Sequence, residues 1–410
     1  MRILYVCHRF PFPPARGGKI RPFNMIKHLS RGHEVVVASL VRSREEAEAG
    51  RGLSRHCSDF IMAEVTPTAA WARMIACVPT PRPSSMGYFY SPELARRINE
   101  RLRRGRFDLI FVHCSSVAAY VSRLSGIPKI LDFGDMDSQK WLDYRRFKPF
   151  PLSLGYWLEG RKMEAAEKAL ARRFDLCTCT TKAELETLRQ FHVPVQTDWF
   201  PNGVDSEFFS PSDAPYDADA ISFVGRMDYF PNQQAMLFFA NEVFPRIREK
   251  RPAATLAIVG AEPSVEIRRL ASRSGITVTG TVPDVRDHVR RSAVSVAPLM
   301  IARGTQNKII ECMAMGVPVV ASPEAAGGVD AVPGEHLLVA RSPDDYAGKL
   351  LNLMTDRAAR QRLASAGRAR VETHHSWARS MAKLDRIVEA CLESHRAGER
   401  RQAPIAIGRG

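Results

Sequence analysis

Apolar runs of strand length alternate with amphipathic helical stretches along almost the whole chain, and this alternation constrains the fold more than any other feature. RILYVC reads as a buried strand. A loop rich in Pro and Gly follows, then the helical KIRPFNMIKHLSRG and the strand HEVVVASL. FDLIFVH, the helical VAAYVSRLSG, the strand PKILDF, then LCTCTT leading into the helical KAELETLRQF continue the pattern. Strands joined through helices run parallel, so the first half reads as a Rossmann-like α/β layer structure. The pattern breaks at WFPNGVDSEFFSPSDAPYD and restarts with AISFVG, ATLAIVG, ITVTG, AVSVAPL and VPVVAS, with helices expected over 232–250 and 264–274. The 410 residues therefore divide into a Rossmann-like domain over 1–200, a linker over 201–215 and a second Rossmann-like domain over 216–372. The stretch from Asp344 to His395 reads as helical, its 373–395 part is expected to pack back on the first domain, and 396–410 reads as a disordered basic tail.

A formal charge of +15 calls for an acidic partner: nucleic acid, anionic lipid or a phosphorylated ligand. A basic surface kept for solubility is the plainer alternative. The basic residues read as dispersed and no nucleic-acid recognition module is visible, so nucleic acid is not expected. The eight cysteines show no metal-ligand spacing and read as reduced core thiols. The first apolar run is too short for a signal peptide, and no apolar stretch reaches the length of a membrane span. A cytoplasmic protein, with any membrane contact peripheral, is the expectation.

In parallel sheets ligands bind beyond the carboxyl ends of the strands. Four loops there carry unusual chemistry. PPARGGK puts Gly17 and Gly18 beside Arg16 and Lys19, either as a simple turn or as a phosphate cradle. VGRMDYFPN places Gly225 and Arg226 at a strand end. ARGTQNK carries Arg303, Gly304, Thr305, Gln306, Asn307 and Lys308 into a helix expected from Gln306 to Met315, with Thr305 as N-cap and Gly316 as the residue after its end. Lys308 and Glu311 are three residues apart, so they form either a surface ion pair or a phosphate cation with a ribose-binding acid. DFGDMDSQKW holds Asp132, Asp135 and Asp137; Asp137 or Ser138 reads as a helix N-cap and no metal site is read there. Asp135, Asp137 and the strand-end His113 are candidates for orienting an acceptor hydroxyl. KWLDYRRFKPFPLSLGYWLEGRK mixes aromatic and basic residues, as an interfacial patch or as a solvated loop and helix.

Taken together, PNGVDSEFF, VGRM, ITVTGTVPDV and IIECMAMGVPVVAS resemble the family 4 glycosyltransferases of GT-B fold over nearly the whole chain. The resemblance implies two Rossmann-like parallel-sheet domains facing across a cleft, with C-terminal helices. It implies retaining sugar transfer from a nucleotide-diphosphate donor, with no metal and no resident cofactor. Glu311 would hold the ribose, Arg226 the diphosphate and the Val282–Pro283 turn the base, while Gly18 would approach the phosphates. Two departures stand out. Arg303 occupies the place of the first of two acids eight residues apart, and Pro231-Asn232 stands where the family carries a Lys. Lys308 is expected to supply that missing cation. MDYFPN, RGTQNK and DFGDMDSQKW are similar to sugar transferases of bacterial exopolysaccharide clusters, including those found beside exosortases. That implies a saccharide acceptor, lipid-linked, at the anionic inner membrane face. The alternative is a non-catalytic sugar-nucleotide-binding protein of the same fold.

Overall fold

The structure, a computed structural model, describes residues 1–402. It separates into two compact units, one of Met1–Phe200 with the chain from Met381 onward, the other of Pro201–Ser380. Each is built around its own apolar core.

Unit one holds seven parallel strands: β1 (Arg2–Cys7), β2 (Glu34–Val41), β3 (Asp59–Glu64), β4 (Leu109–His113), β5 (Lys129–Gly134), β6 (Leu176–Cys179) and β7 (Gln196–Trp199), in the order β3-β2-β1-β4-β5-β6-β7. Unit two holds six, β8 (Asp217–Val224), β9 (Thr255–Val259), β10 (Ile276–Gly280), β11 (Ser292–Ala297), β12 (Val319–Ala321) and β13 (Leu338–Val339), in the order β10-β9-β8-β11-β12-β13. Helices cover both faces of such sheets, which is why central strands such as LIFVH are buried at every position rather than at alternate ones.

The C-terminal helix Trp377–Gln402 packs on unit one through Leu384, Ile387, Val388 and Cys391, an apolar stripe with helical spacing. His28 to Asp385 at 2.8 Å, Lys383 to Asp198 at 3.1 Å and His395 to Asp175 at 2.8 Å flank that stripe. The helix runs into the stretch read as a tail; residues 403–410 lie outside the described residues.

Three helix boundaries differ from those expected. The 232–250 helix is two α-helical segments, Phe230–Phe238 and Phe244–Lys250, joined by a wider π-turn over Phe239–Val243. Pro245 explains the break, having no N–H to continue the ladder. The 264–274 helix stops at Leu270, before Gly275 at φ +81°. The helical C-terminal stretch is three helices, Pro343–Thr355, Arg357–His374 and Trp377–Gln402. All eight cysteines are free thiols.

Candidate active site

Strand order reverses between β1 and β4 in one sheet and between β8 and β11 in the other. Parallel sheets bind their ligands at such a switch point, because the crossovers there leave on opposite faces and open a crevice. In unit two, β8 runs into Gly225-Arg226, and β11 runs through the loop 298–306 into the helix Asn307–Ala314. Adjacent central strands therefore deliver Arg226 and Lys308 to the carboxyl end of the sheet.

The Lys308 amine donates to Asn232 Oδ1 at 2.6 Å and lies 4.4 Å from the centroid of the Phe223 ring. Asn232 Nδ2 donates to the Arg226 carbonyl at 2.8 Å, so this amide ties the amine to the end of β8. A Cβ at Gly225 would lie 2.7 Å from Asn232 Nδ2 and 3.1 Å from Lys308 Nζ; only glycine lets them approach. The amine thus reaches the segment in which the family's Lys is absent. Burial pushes the Lys308 amine down to about 7 and the Glu311 carboxyl up to about 7, Lys308 pulling the latter back. The two do not form the surface ion pair that their spacing allowed: the amine is spent on Asn232, and the Glu311 carboxyl makes no hydrogen bond among the described residues. Desolvated, strongly shifted groups of this kind gather at functional sites, which makes this cluster the candidate site of unit two.

Arg226 is ion-paired in the structure. Its guanidinium forks onto Asp228 at 2.9 and 3.1 Å and also binds Glu262, so its charge is answered by two carboxylates. These hydrogen bonds, Asp228 foremost, raise its pKa further.

The helix start also differs. Its N-cap is Gln306, which makes no side-chain cap, and the helix covers Asn307–Ala314. Thr305 does not cap because its hydroxyl accepts from the Asn202 amide at 3.4 Å, while Asn202 Nδ2 donates to Asn307 Oδ1 at 3.1 Å. The PNG of the linker thus braces the loop. The Asn202 carbonyl accepts in turn from His375 Nδ1 at 3.4 Å, and His375 Nε2 accepts from the Asp330 amide at 3.1 Å, which defines a neutral ring. Gln306 Nε2 folds back onto the Arg303 carbonyl at 2.9 Å, and Gly304 adopts φ +65°. Gly328 is the close neighbour of this loop: a Cβ there would lie 2.2 Å from the Gly304 oxygen. Gly316 ends the helix as expected, at φ +69° with Val317 N donating back to Cys312 O at 3.0 Å. The Val282–Pro283 turn follows β10, away from this cluster in sequence, with Pro283 exposed.

In unit one the switch point brings together the ends of β1 and β4. His113 Nδ1 lies 2.7 Å from Asp132 Oδ2 on neighbouring β5. Asp132 also accepts from Arg21 at 2.9 and 3.0 Å and from Thr178 at 2.9 Å. Burial opposes its charge, but Arg21 and His113 hold its carboxyl well below the usual range. An ionised Asp132 accepts from His113 Nδ1 and so orients the ring, whose Nε2 has no hydrogen bond among the described residues. Arg21 also donates to the Phe200 carbonyl at 2.9 Å and lies over the Phe200 ring. This network was not anticipated: Arg21 and Asp132 are far apart in sequence, and only their places in a helix and a strand end bring them together.

Asp135 accepts from Thr180 at 2.9 Å, and Asp137 accepts from Ser115 at 3.3 Å with its pKa raised by burial. Neither Asp137 nor Ser138 is an N-cap. Met136 holds that position, and carboxylates from elsewhere take the amides: Glu184 from Met136 N at 2.7 Å and Glu167 from Ser138 N at 3.1 Å. Burial pushes Glu167 up to about 8. Gly17 and Gly18 open the helix Gly17–Leu29, which has no side-chain cap and no acid in its first turn. A Cβ at Gly17 meets nothing within 4 Å and one at Gly18 makes only ordinary contact with Arg9, so the protein's own packing does not require either glycine.

The family model described as Glycosyltransferase Family 4 matches residues 17–208, and that described as Glycosyl transferases group 1 matches residues 218–356. A D-inositol 3-phosphate glycosyltransferase of Nocardiopsis dassonvillei is 26% identical over 70% of this chain and 71% of its own. A GDP-mannose-dependent monoacylated alpha-(1-6)-phosphatidylinositol monomannoside mannosyltransferase of Corynebacterium glutamicum is 27% identical over 46% of this chain and 55% of its own. Among solved structures, sucrose-phosphate synthase from Thermosynechococcus elongatus aligns with a TM-score of 0.71 at 16% identity, over 96% of this chain and all of its own. Anabaena HepE, solved in complex with UDP, aligns at 0.69 and 14% identity, over 95% of this chain and all of its own. At these identities the likeness of structure shows the fold.

Proposed function

The chain belongs to the family 4 glycosyltransferases of GT-B fold, and from that premise we propose that it is a retaining, metal-independent enzyme that moves a sugar from a nucleotide-diphosphate donor to a lipid-linked saccharide in cell-envelope exopolysaccharide synthesis. The observation that carries the donor half is the Lys308 amine, held by Asn232 at the Gly225-Arg226 strand end, one turn from an unpaired Glu311. In this reading Glu311 accepts from the ribose diol, and Lys308 with the first amides of Asn307–Ala314 meets the leaving diphosphate. Arg226 joins them when Asp228 and Glu262 yield it. The bond between the anomeric carbon and the diphosphate oxygen breaks, the acceptor oxygen bonds to that carbon on the same face, and the acceptor's proton passes to the departing phosphate oxygen. His113, aligned by Asp132, offers Nε2 to a sugar hydroxyl.

Arg303 in place of an acid sets donor choice apart from the family's commonest kind. The lipid-linked acceptor is supported by the exopolysaccharide-type motifs and by the lipid acceptor in the name of the Corynebacterium relative.

A thermal-shift panel of UDP-glucose, GDP-mannose and the free nucleotides tests the reading. A ligand at a hundred times its Kd stabilises the folded state by about 2.7 kcal/mol. One nucleotide sugar raising Tm above its free nucleotide is the expected result; no shift with any of them contradicts the donor site.

A further inference from the structure

The excess positive charge is not dispersed. Residues 1–200 carry 32 Lys and Arg against 20 Asp and Glu, while residues 201–380 carry 21 against 20. Exposed apolar side chains concentrate in the same unit. Of fifteen large hydrophobic residues exposed among the described residues, three are Trp71, Ile75 and Val78, and five lie between Phe150 and Leu158.

The two stretches are neighbours. Lys162 donates to the carbonyls of Cys77 and Val78 at 3.3 and 2.6 Å, and Glu159 accepts from the amides of Ser84 and Ser85 at 2.8 Å each. Glu159, next to the exposed stripe in sequence, is thereby tied to the 84–85 backbone. Beside the stripe a hollow of about 480 Å³ is lined by Leu142, Arg145, Arg146, Trp157 and Arg161. Arg161 is paired with Glu164 at 2.7 Å, but Arg145 and Arg146 are exposed and have no acidic partner among the described residues.

Two unanswered guanidinium groups next to a tryptophan, on the rim of a protruding apolar stripe, suit a surface that is apolar below and anionic above. Guanidinium binds phosphate with paired donors, and tryptophan settles between hydrocarbon and headgroups. Among the described residues no helix is long and apolar enough to cross a membrane, so this stripe would lie on a bilayer rather than span it.

We propose that the face formed by residues 71–78 and 150–158 docks on an anionic phospholipid bilayer, with Arg145 and Arg146 taking a lipid phosphate in the hollow beside Trp157. The proposal rests on the reading that the acceptor is lipid-linked, and gives that reading a place on the molecule.

Co-sedimentation of the full chain with vesicles tests it. Wild-type protein is expected to pellet with phosphatidylcholine vesicles containing phosphatidylglycerol and to stay in solution with phosphatidylcholine alone. The double variant Arg145→Glu, Arg146→Glu is expected to bind more than about tenfold more weakly, and Trp157→Ser to lose binding too, both keeping the wild-type thermal shift with nucleotide sugar. Equal pelleting with neutral vesicles, or unchanged binding by the double variant, overturns the proposal. Vesicle binding that persists while no lipid-linked saccharide is glycosylated sinks the acceptor reading alone.

Discussion

At the switch point of unit one, buried charge is closed on itself: Asp132 takes Arg21, His113 and Thr178, and every partner is part of the fold. At the switch point of unit two, charge is left open. Lys308 has a neutral amide for a partner, the Glu311 carboxyl has no hydrogen bond among the described residues, and burial drives both toward their uncharged forms. The same topology thus holds a rigid support in one sheet and an unfinished electrostatic arrangement in the other. A group whose charge is disfavoured by the fold gains most when a ligand arrives, which is why the proposed function is built on the open cluster.

The comparison breaks first on stability. Asp132→Asn keeps the shape but removes the carboxylate charge that answers the buried Arg21 guanidinium, and is expected to cost about 3–5 kcal/mol in equilibrium denaturation. A loss under about 1 kcal/mol would mean that the unit-one network is not the rigid support described. Lys308→Ala should do the reverse, with little loss of stability, because the fold disfavours the charge it removes. Its effect falls on transfer, where kcat is expected to drop by about a hundredfold to a thousandfold, the range for removing one preorganised group from a developing negative charge. A Lys308→Ala enzyme that unfolds easily but transfers normally would invert the comparison.

Much of this arrangement was legible in the chain. Alternating strands and helices placed both sheets, and strand-end loops placed Gly225, Arg226 and the 302–308 segment together, because β8 and β11 are neighbours at the switch point. Gly316 was legible as well, since a left-handed position after a helix selects glycine. What failed were contests between local and distant partners. Thr305 suits an N-cap, but the Asn202 backbone takes its hydroxyl; Asp137 and Ser138 suit another, but Glu167 and Glu184 arrive from elsewhere. Of the two carboxylates on Arg226, Asp228 lies two residues along the same loop, whereas Glu262 is distant in sequence and needed the fold to bring it to the neighbouring strand end. The exposed apolar stripe was half visible in 140–162, yet its other half at Trp71, Ile75 and Val78 needed the fold to bring it alongside.

The central claim is that Lys308 is the cation that answers the donor's diphosphate, and the pH dependence of nucleotide-sugar affinity tests it most directly. With the free amine at about 7, Lys308 is charged below that pH and loses its proton above it, so affinity should fall as pH rises from 6 to 9, by at most about tenfold per unit. A nucleotide sugar's diphosphate does not titrate there, and Lys308→Arg, charged throughout, separates the amine from Glu311, which ionises over the same range. The account predicts a steep fall for the wild type above pH 7 and a flat or rising profile for Lys308→Arg. The same falling profile in both proteins, or a flat one in the wild type, would contradict it.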